Sequence, residues 1–158
     1  MKTIKIEVKW ALIFTAMMLL WMFGEKAFGF HDEHIELHPI VSNFVAIPAI
    51  LIFVLALRDK RKRFYNGKMT YLQGFLCGFI TTVFVTVLTP LTQYVTSEYI
   101  TPDYFGNAIK ITVEKNYMTK DAAEAYFNVK SYMVQATIGS LVMGTITSAI
   151  VAIFTQKK

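Results

Sequence analysis

A chain of 158 residues with 54% hydrophobic content and a mean hydropathy of +0.44 is too apolar for an ordinary soluble domain. Its apolar residues come in blocks of about twenty, the length a helix needs to cross roughly 30 Å of hydrocarbon. The formal charge of +5 does not mark a nucleic-acid binder, because the basic residues gather at the chain ends and in one short loop, where they suit anionic lipid headgroups.

The first apolar block follows Lys2, Lys5 and Lys9 and predicts a span over residues 10–30, with Trp10 as an interfacial anchor. A cleaved signal peptide is the rival reading, since Ala27-Phe28-Gly29 after a basic start copies its layout. Two tryptophans and the charged pair Glu25–Lys26 beside that cut favour a retained anchor. A short acidic and histidine-rich loop, HDEHIELH from His31 to His38, comes next. A second span is predicted over 39–57. Pro48 in its interior leaves the carbonyl four residues back without its usual donor, so a kink is expected near Phe44.

Residues 58–68, RDKRKRFYNGK, place six cationic residues in eleven positions and read as a short loop closed by an Asn66-Gly67 turn. A third span is predicted over 71–94, with Ile100 as its outer limit. There Gly74, Gly78, Thr82, Thr86 and Pro90 recur every four residues and line one helix face with small side chains. Cys77, the one cysteine, reads as a small packing residue. The connection 101–130 should hold an amphipathic helix on the membrane surface, with Thr101 as N-cap, Pro102 in the first turn and Asp103 favoured by the dipole. Thr119 then caps a second helix that is expected to run unbroken into the fourth span, 132–154. That span repeats the four-residue device with Ala136, Ser140, Gly144, Ser148 and Ala152. Sequence leaves open whether these small-residue faces meet within one molecule or between copies.

Orientation follows from charge. With both termini and the 58–68 loop in the cytoplasm, that side holds Lys2, Lys5, Lys9, Arg58, Lys60, Arg61, Lys62, Arg63, Lys68, Lys157 and Lys158, against Glu7 and Asp59. The outer side holds Lys26, Lys110, Lys115, Lys120 and Lys130 with the other nine acids. The basic bias points one way for all three cytoplasmic segments, as four spans require. The expected fold is an all-α membrane protein of four transmembrane helices with an additional outer amphipathic helix.

The stretches EVKWALIF, HDEHIELH, NFVAIPAILIFVLALRDKR, YNGKMTY, PLTQY, ITPDYF, AEAYFN and TSAIVAIF together resemble a bacterial family of small four-span membrane proteins, domain of unknown function 4199. The likeness covers nearly the whole chain. It implies a four-helix protein of the bacterial inner membrane, and it brings no activity, ligand, cofactor or functional residue.

Candidate chemistry is sparse. His31, His34 and His38 are all the histidines of the chain, and on a helix they would share one face at i, i+3 and i+7. With Asp32 and Glu36 they form a candidate transition-metal site, since imidazole and carboxylate suit zinc, copper, nickel or iron. Two other readings stay open: an interfacial loop resting in headgroups, and a pH-responsive cluster. The polar content of the third span (Thr81, Thr82, Thr86, Thr89, Thr92, Gln93, Thr96 and Ser97) would suit a solute path, or simple packing with hydroxyls bonded to their own backbone.

Catalysis finds no support. There is no Gly-rich loop after a strand and no serine or cysteine nucleophile beside a base, and about thirty extramembrane residues are too few for a catalytic domain. The expected role is therefore non-enzymatic, acting by interaction as an accessory or oligomeric subunit, as a homo-oligomer or with a membrane partner. The alternative is a small transporter or metal-binding membrane protein using the outer histidine–carboxylate loop. The helix-packing positions on which the interaction reading rests are Gly74, Gly78, Ala136, Ser140, Gly144 and Ser148.

Overall fold

The computed structural model describes residues 4–157; Lys2 and Lys158, counted above for orientation, lie outside the described residues. In chain order the helices are α1 (Lys5–Ala27), α2 (Ile35–Arg63), α3 (Tyr71–Ile100), α4 (Tyr104–Glu114), α5 (Lys120–Tyr126) and α6 (Val129–Thr155). Four of them, α1, α2, α3 and α6, are long and apolar enough to cross a membrane. Residues 64–70 and both described chain ends lie at one end of the bundle, the basic end. The loop after α1 and the short helices α4 and α5 lie at the other, the histidine end.

Local chemistry explains most boundaries. Within α2, the backbone tightens to 3-10 geometry over Ser42–Val45, around the Phe44 carbonyl that Pro48 cannot serve. The same helix continues in α geometry to Arg63, so half of the stretch expected as a loop is helical. Lysine and arginine are good helix formers and cations favour a helix C-terminus; Lys60, Arg61, Lys62 and Arg63 form that last turn. The turn proper needs positive φ at Asn66 (51°) and Gly67 (90°). Thr70 then opens α3 with a capping box to Gln73.

At the histidine end two expectations fail. Thr101 does not cap α4; its N–H and hydroxyl both bond Thr96 O (2.8 and 3.3 Å), closing the wide π turn Thr96–Ile100 that ends α3. Asp103 precedes α4 without a side-chain cap. Thr119 does cap α5, accepting from Ala122 N. That helix does not run on into the fourth span, because Asn128 adopts extended backbone. Its Oδ1 accepts from Ser131 N at 2.9 Å, and its Nδ2 donates to the carbonyls of Glu124 (3.0 Å) and Ala125 (2.8 Å). One asparagine thus closes α5 and starts α6.

Helices α3 and α6 run antiparallel in the closest contact of the bundle, and the four-residue stripes meet each other within one chain. A Cβ at Gly74 would stand 3.4 Å from Ala152 Cβ, one at Gly78 2.6 Å from Ser148 Oγ, and one at Gly144 2.5 Å from Thr82 Cγ2. One step further, Ser140 Oγ lies 3.2 Å from Thr86 Oγ1 and 3.3 Å from Thr89 Oγ1. Lipid gives apolar helices no reason to leave it for each other, so this close approach is what binds them. Nearer the basic end, Phe53, Ala56, Leu57, Met69, Cys77, Val151 and Ala152 form the apolar core.

The basic end is tied together by charge. Glu7 and Lys60 pair at 2.8 Å with side chains 1% and 3% exposed. Asp59 accepts from Lys9, from Trp10 Nε1 at 2.9 Å and from Arg63 Nε at 2.6 Å. Arg61 donates to Thr155 O at 2.7 Å. Part of the basic stretch therefore clamps α1 and α6 onto α2, while Arg58, Lys62, Arg63 and Lys68 stay exposed.

Gly78→Val is expected to lower stability by about 1–3 kcal/mol through overpacking. Gly139→Ala, whose Cβ would meet nothing within 4 Å, should cost no stability and gain up to about 1 kcal/mol of helix propensity; thermal unfolding in detergent checks both. Lys60→Met strands the buried Glu7 carboxylate and should cost about 3–5 kcal/mol, most of it recovered when Glu7→Gln is added. The same melts read that recovery.

Candidate functional site

Glu25 ends the apolar run of α1 and is 4% exposed. Its Oε1 accepts from Trp21 Nε1, one helical turn back, and from Ser42 Oγ on α2, both at 2.8 Å. Its Oε2 faces two imidazoles: His31 Nε2 at 3.2 Å and His38 Nε2 at 3.5 Å.

A chain reversal makes this possible. Phe28 N–H still bonds Gly24 O, but Phe30 N–H reaches back to Glu25 O at 3.0 Å, and Asp32 and His34 N–H both bond Gly29 O. Gly29 holds φ +76°, a conformation that costs other residues strain. The result turns His31 back over Glu25, where its side chain is 1% exposed.

The short helices at this end hold the imidazoles. Tyr104 OH lies 3.3 Å from His38 Nδ1 and 3.4 Å from Tyr132 OH. Burial pushes the Tyr104 hydroxyl above its ordinary pKa, so it keeps its proton. The two imidazole centroids are 4.8 Å apart, and the Tyr104 ring sits 5.3 and 5.0 Å from His31 and His38. Asn107 Nδ2 donates to His31 O at 3.1 Å and to Asp32 Oδ1 at 2.9 Å. Helix α4 is thus fastened over the site from both its tyrosine and its asparagine.

Chemically, one carboxylate oxygen and a ring nitrogen from each histidine lie within 4.8 Å of one another. Ligand atoms bound at 2.0–2.1 Å around a tetrahedral zinc ion stand about 3.3 Å apart. The carboxylate-to-imidazole separations, 3.2 and 3.5 Å, bracket that edge. His38 Nε2 and His31 Nδ1 are buried without a hydrogen-bond partner, and the first of these looks onto Glu25.

Of the five residues singled out from sequence, the fold brings only His31 and His38 together. His34 is exposed, with its ring centroid 6.4 Å from that of Phe30. Asp32 is engaged by Asn107. Glu36 pairs with Lys115 at 2.5 Å and holds that ammonium above its ordinary pKa. The stretch is no single helix: turns occupy residues 28–34, so the i, i+3, i+7 face does not exist. Glu25, read in the sequence only as half of a charged pair with Lys26, is the member that was missed. The available signal was an acid inside an apolar span, which marks a functional position by default.

Beside this cluster lies an open hollow of about 530 Å³ lined by Asp32, Glu33, Asp103, Asn107, Lys110 and Glu114, among others. Deeper, a cleft of about 480 Å³ runs between the long helices, with Thr82, Thr89, Thr92, Gln93 and Thr96 of α3 along it. Those threonines offer little polarity, for Thr82, Thr89 and Thr92 donate to the carbonyls four residues back at 2.9–3.0 Å.

Asn107→Ala removes two hydrogen bonds that fasten the 29–34 turn. At about 0.5–1.5 kcal/mol net per bond, amide exchange in that turn is expected to accelerate on the order of tenfold or more, with the long helices unaffected. Hydrogen-exchange mass spectrometry in detergent checks this.

No curated protein and no solved structure matches the chain. The family described as Protein of unknown function (DUF4199) matches it over residues 9–157, and the chain belongs to that family.

Proposed function

We propose that this multi-pass membrane protein reversibly binds a divalent transition-metal ion, zinc foremost, on the outer side of a bacterial inner membrane. The observation that carries the reading is the convergence of Glu25, His31 and His38 at the buried histidine end. Two imidazoles and a carboxylate are the ligand set of zinc sites that keep a fourth position open, and an open position suits exchange more than permanent structure. The Tyr104 hydroxyl at His38 Nδ1 plays the outer-shell part that fixes a ligating imidazole. Acids in the neighbouring hollow favour cations near the entrance. The cationic basic end supports a cytoplasmic placement of both termini and contact with anionic headgroups.

Translocation is less well supported than binding. Among the described residues the cleft below the site is lined by no ionisable side chain, and beyond it Lys60 and Glu7 are closed on each other as a buried ion pair. The oligomer reading loses its main argument, because the small-residue faces of α3 and α6 are used up against each other. The role that fits is a non-enzymatic accessory protein whose outer site senses or holds a metal ion.

The test uses protein carrying a tag without histidine, stripped with chelator and titrated with zinc. Wild type should bind about one equivalent. Glu25→Gln, His31→Ala and His38→Ala should each lose at least tenfold in affinity, while His34→Ala and Glu36→Gln retain it. Metal at a hundred times Kd should stabilise the fold by about 2.7 kcal/mol, read as a higher melting temperature. Unchanged binding in Glu25→Gln, or loss in His34→Ala, rejects the proposal.

A further inference from the structure

We propose that the cleft between α2 and α6 is a lipid site, taking one acyl chain of a bilayer phospholipid with its ester carbonyl at Asn43 and Gln93. The inference stands on the cleft alone and is independent of metal binding.

The two helices are joined at the basic end, where Ala56 and Leu57 share a core with Val151 and Ala152 and Arg61 bonds Thr155 O. Towards the histidine end they are separated by a cleft of about 480 Å³, within the 300–1,000 Å³ typical of ligand pockets. Its floor is α3, where Thr82 and Val85 are buried, together with Phe14, Met18 and Met22 of α1. Ile50 and Met143 line it and are 47% and 61% exposed, so its mouth opens sideways between α2 and α6. Both residues lie inside the spanning helices, and what faces the mouth there is hydrocarbon.

Small residues line its walls, Ala46 and Ala49 on α2 and Gly139 on α6. A Cβ at Gly139 would meet no atom within 4 Å, whereas those at Gly78 and Gly144 would collide with α6 and α3. Small residues draw α3 and α6 together; at the cleft they hold space open.

The size of that space selects the occupant. One turn of a helix with its side chains, 10–12 Å across and 5.4 Å high, fills on the order of 500 Å³. A spanning helix from a second copy or a partner would need several times the volume available. A single flexible chain does not.

The two amide side chains of the cleft, Asn43 and Gln93, stand at its histidine end, while hydroxyls deeper in it, such as those of Thr15 and Thr82, donate to carbonyls of their own helices. Asn43 Nδ2 donates to Pro39 O at 2.6 Å, and Gln93 Nε2 donates to Ser97 Oγ at 3.0 Å. Each amide nitrogen carries two hydrogens, so each keeps one for an incoming acceptor. Among the described residues, no charged side chain lines the cleft. Neutral donors at one end and an apolar body fit an ester carbonyl followed by a hydrocarbon chain, and do not fit a phosphate.

The experiment is native mass spectrometry of delipidated full-length protein, in detergent, titrated with dioleoyl phosphatidylethanolamine. Wild type should retain one lipid well before any second. Gly139→Leu projects a side chain into the cleft from a Cβ that meets no atom within 4 Å, and should weaken that first binding at least tenfold. Val142→Leu, on the same helix but outside the cleft, should bind as wild type does. Helical circular dichroism confirms folding, and Ala46→Leu on the opposite wall decides the matter should Gly139→Leu not fold. Equal first-lipid retention in the filled variant overturns the proposal, as does graded binding of many lipids with no distinct first one. A wild-type dimer that Gly139→Leu abolishes overturns it in favour of a second copy.

Discussion

A carboxylate placed inside an apolar helix must be answered within the protein, and α1 carries one near each end. Glu7 and Glu25 are separated by eighteen residues, about 27 Å of helix, and both are buried. Each draws its partners chiefly from α2 or the turn leading into it: Lys60 for Glu7, and His31, His38 and Ser42 for Glu25. The two helices are thereby pinned at both ends, in a solvent that offers apolar surfaces no preference for one another. A buried pair need not add net stability compared with an apolar match, but it penalises every arrangement that separates it. The register of α1 against α2 is therefore set by charge, as that of α3 against α6 is set by small side chains.

How much of this the sequence discloses depends on whether a feature is periodic. The spans, the four-residue stripes of α3 and α6, the tightening of α2 before Pro48 and the Thr119 cap are all repeating or local signals, and each is readable along the chain. Single residues that redirect the backbone are not. Gly29 has no distinctive neighbours, yet its positive φ decides that His31 folds back over Glu25 while His34 points away. Asn128 sits between two apolar stretches whose pattern runs on through it, and only its three hydrogen bonds show that it separates two helices. The candidate site is half legible for the same reason. Two of its members were conspicuous as histidines, but the carboxylate that unites them lies six residues before His31, across a turn.

Small residues also illustrate how one composition serves opposite ends. Gly78, Gly144 and Ser148 permit contact so close that a methyl group would collide. Gly139, five positions along α6 from the last such contact, faces open space. The difference lies in what stands opposite: α3 approaches along the whole stripe, whereas α2 is held to α6 only at the basic end and departs from it. A stripe of small residues thus fixes an interface only where another constraint brings a partner up to it.

The division of labour within Glu25 follows from the same logic. Its Oε1 is saturated by Trp21 and Ser42, two donors that do not titrate, and these hold the carboxylate plane in place. Its Oε2 is left to the imidazoles, which can donate a proton to it or turn a lone pair beside it towards an ion. A carboxylate bound only by histidines would lose its position whenever they changed state. One anchored by indole and hydroxyl keeps its geometry whichever way the imidazoles turn. Ser42 stands at the meeting point of the two halves of the molecule, since it fixes Glu25 above and lines the cleft below. The polar site and the apolar cleft consequently share one wall, and the position of α2 at its 3-10 segment sets the dimensions of both.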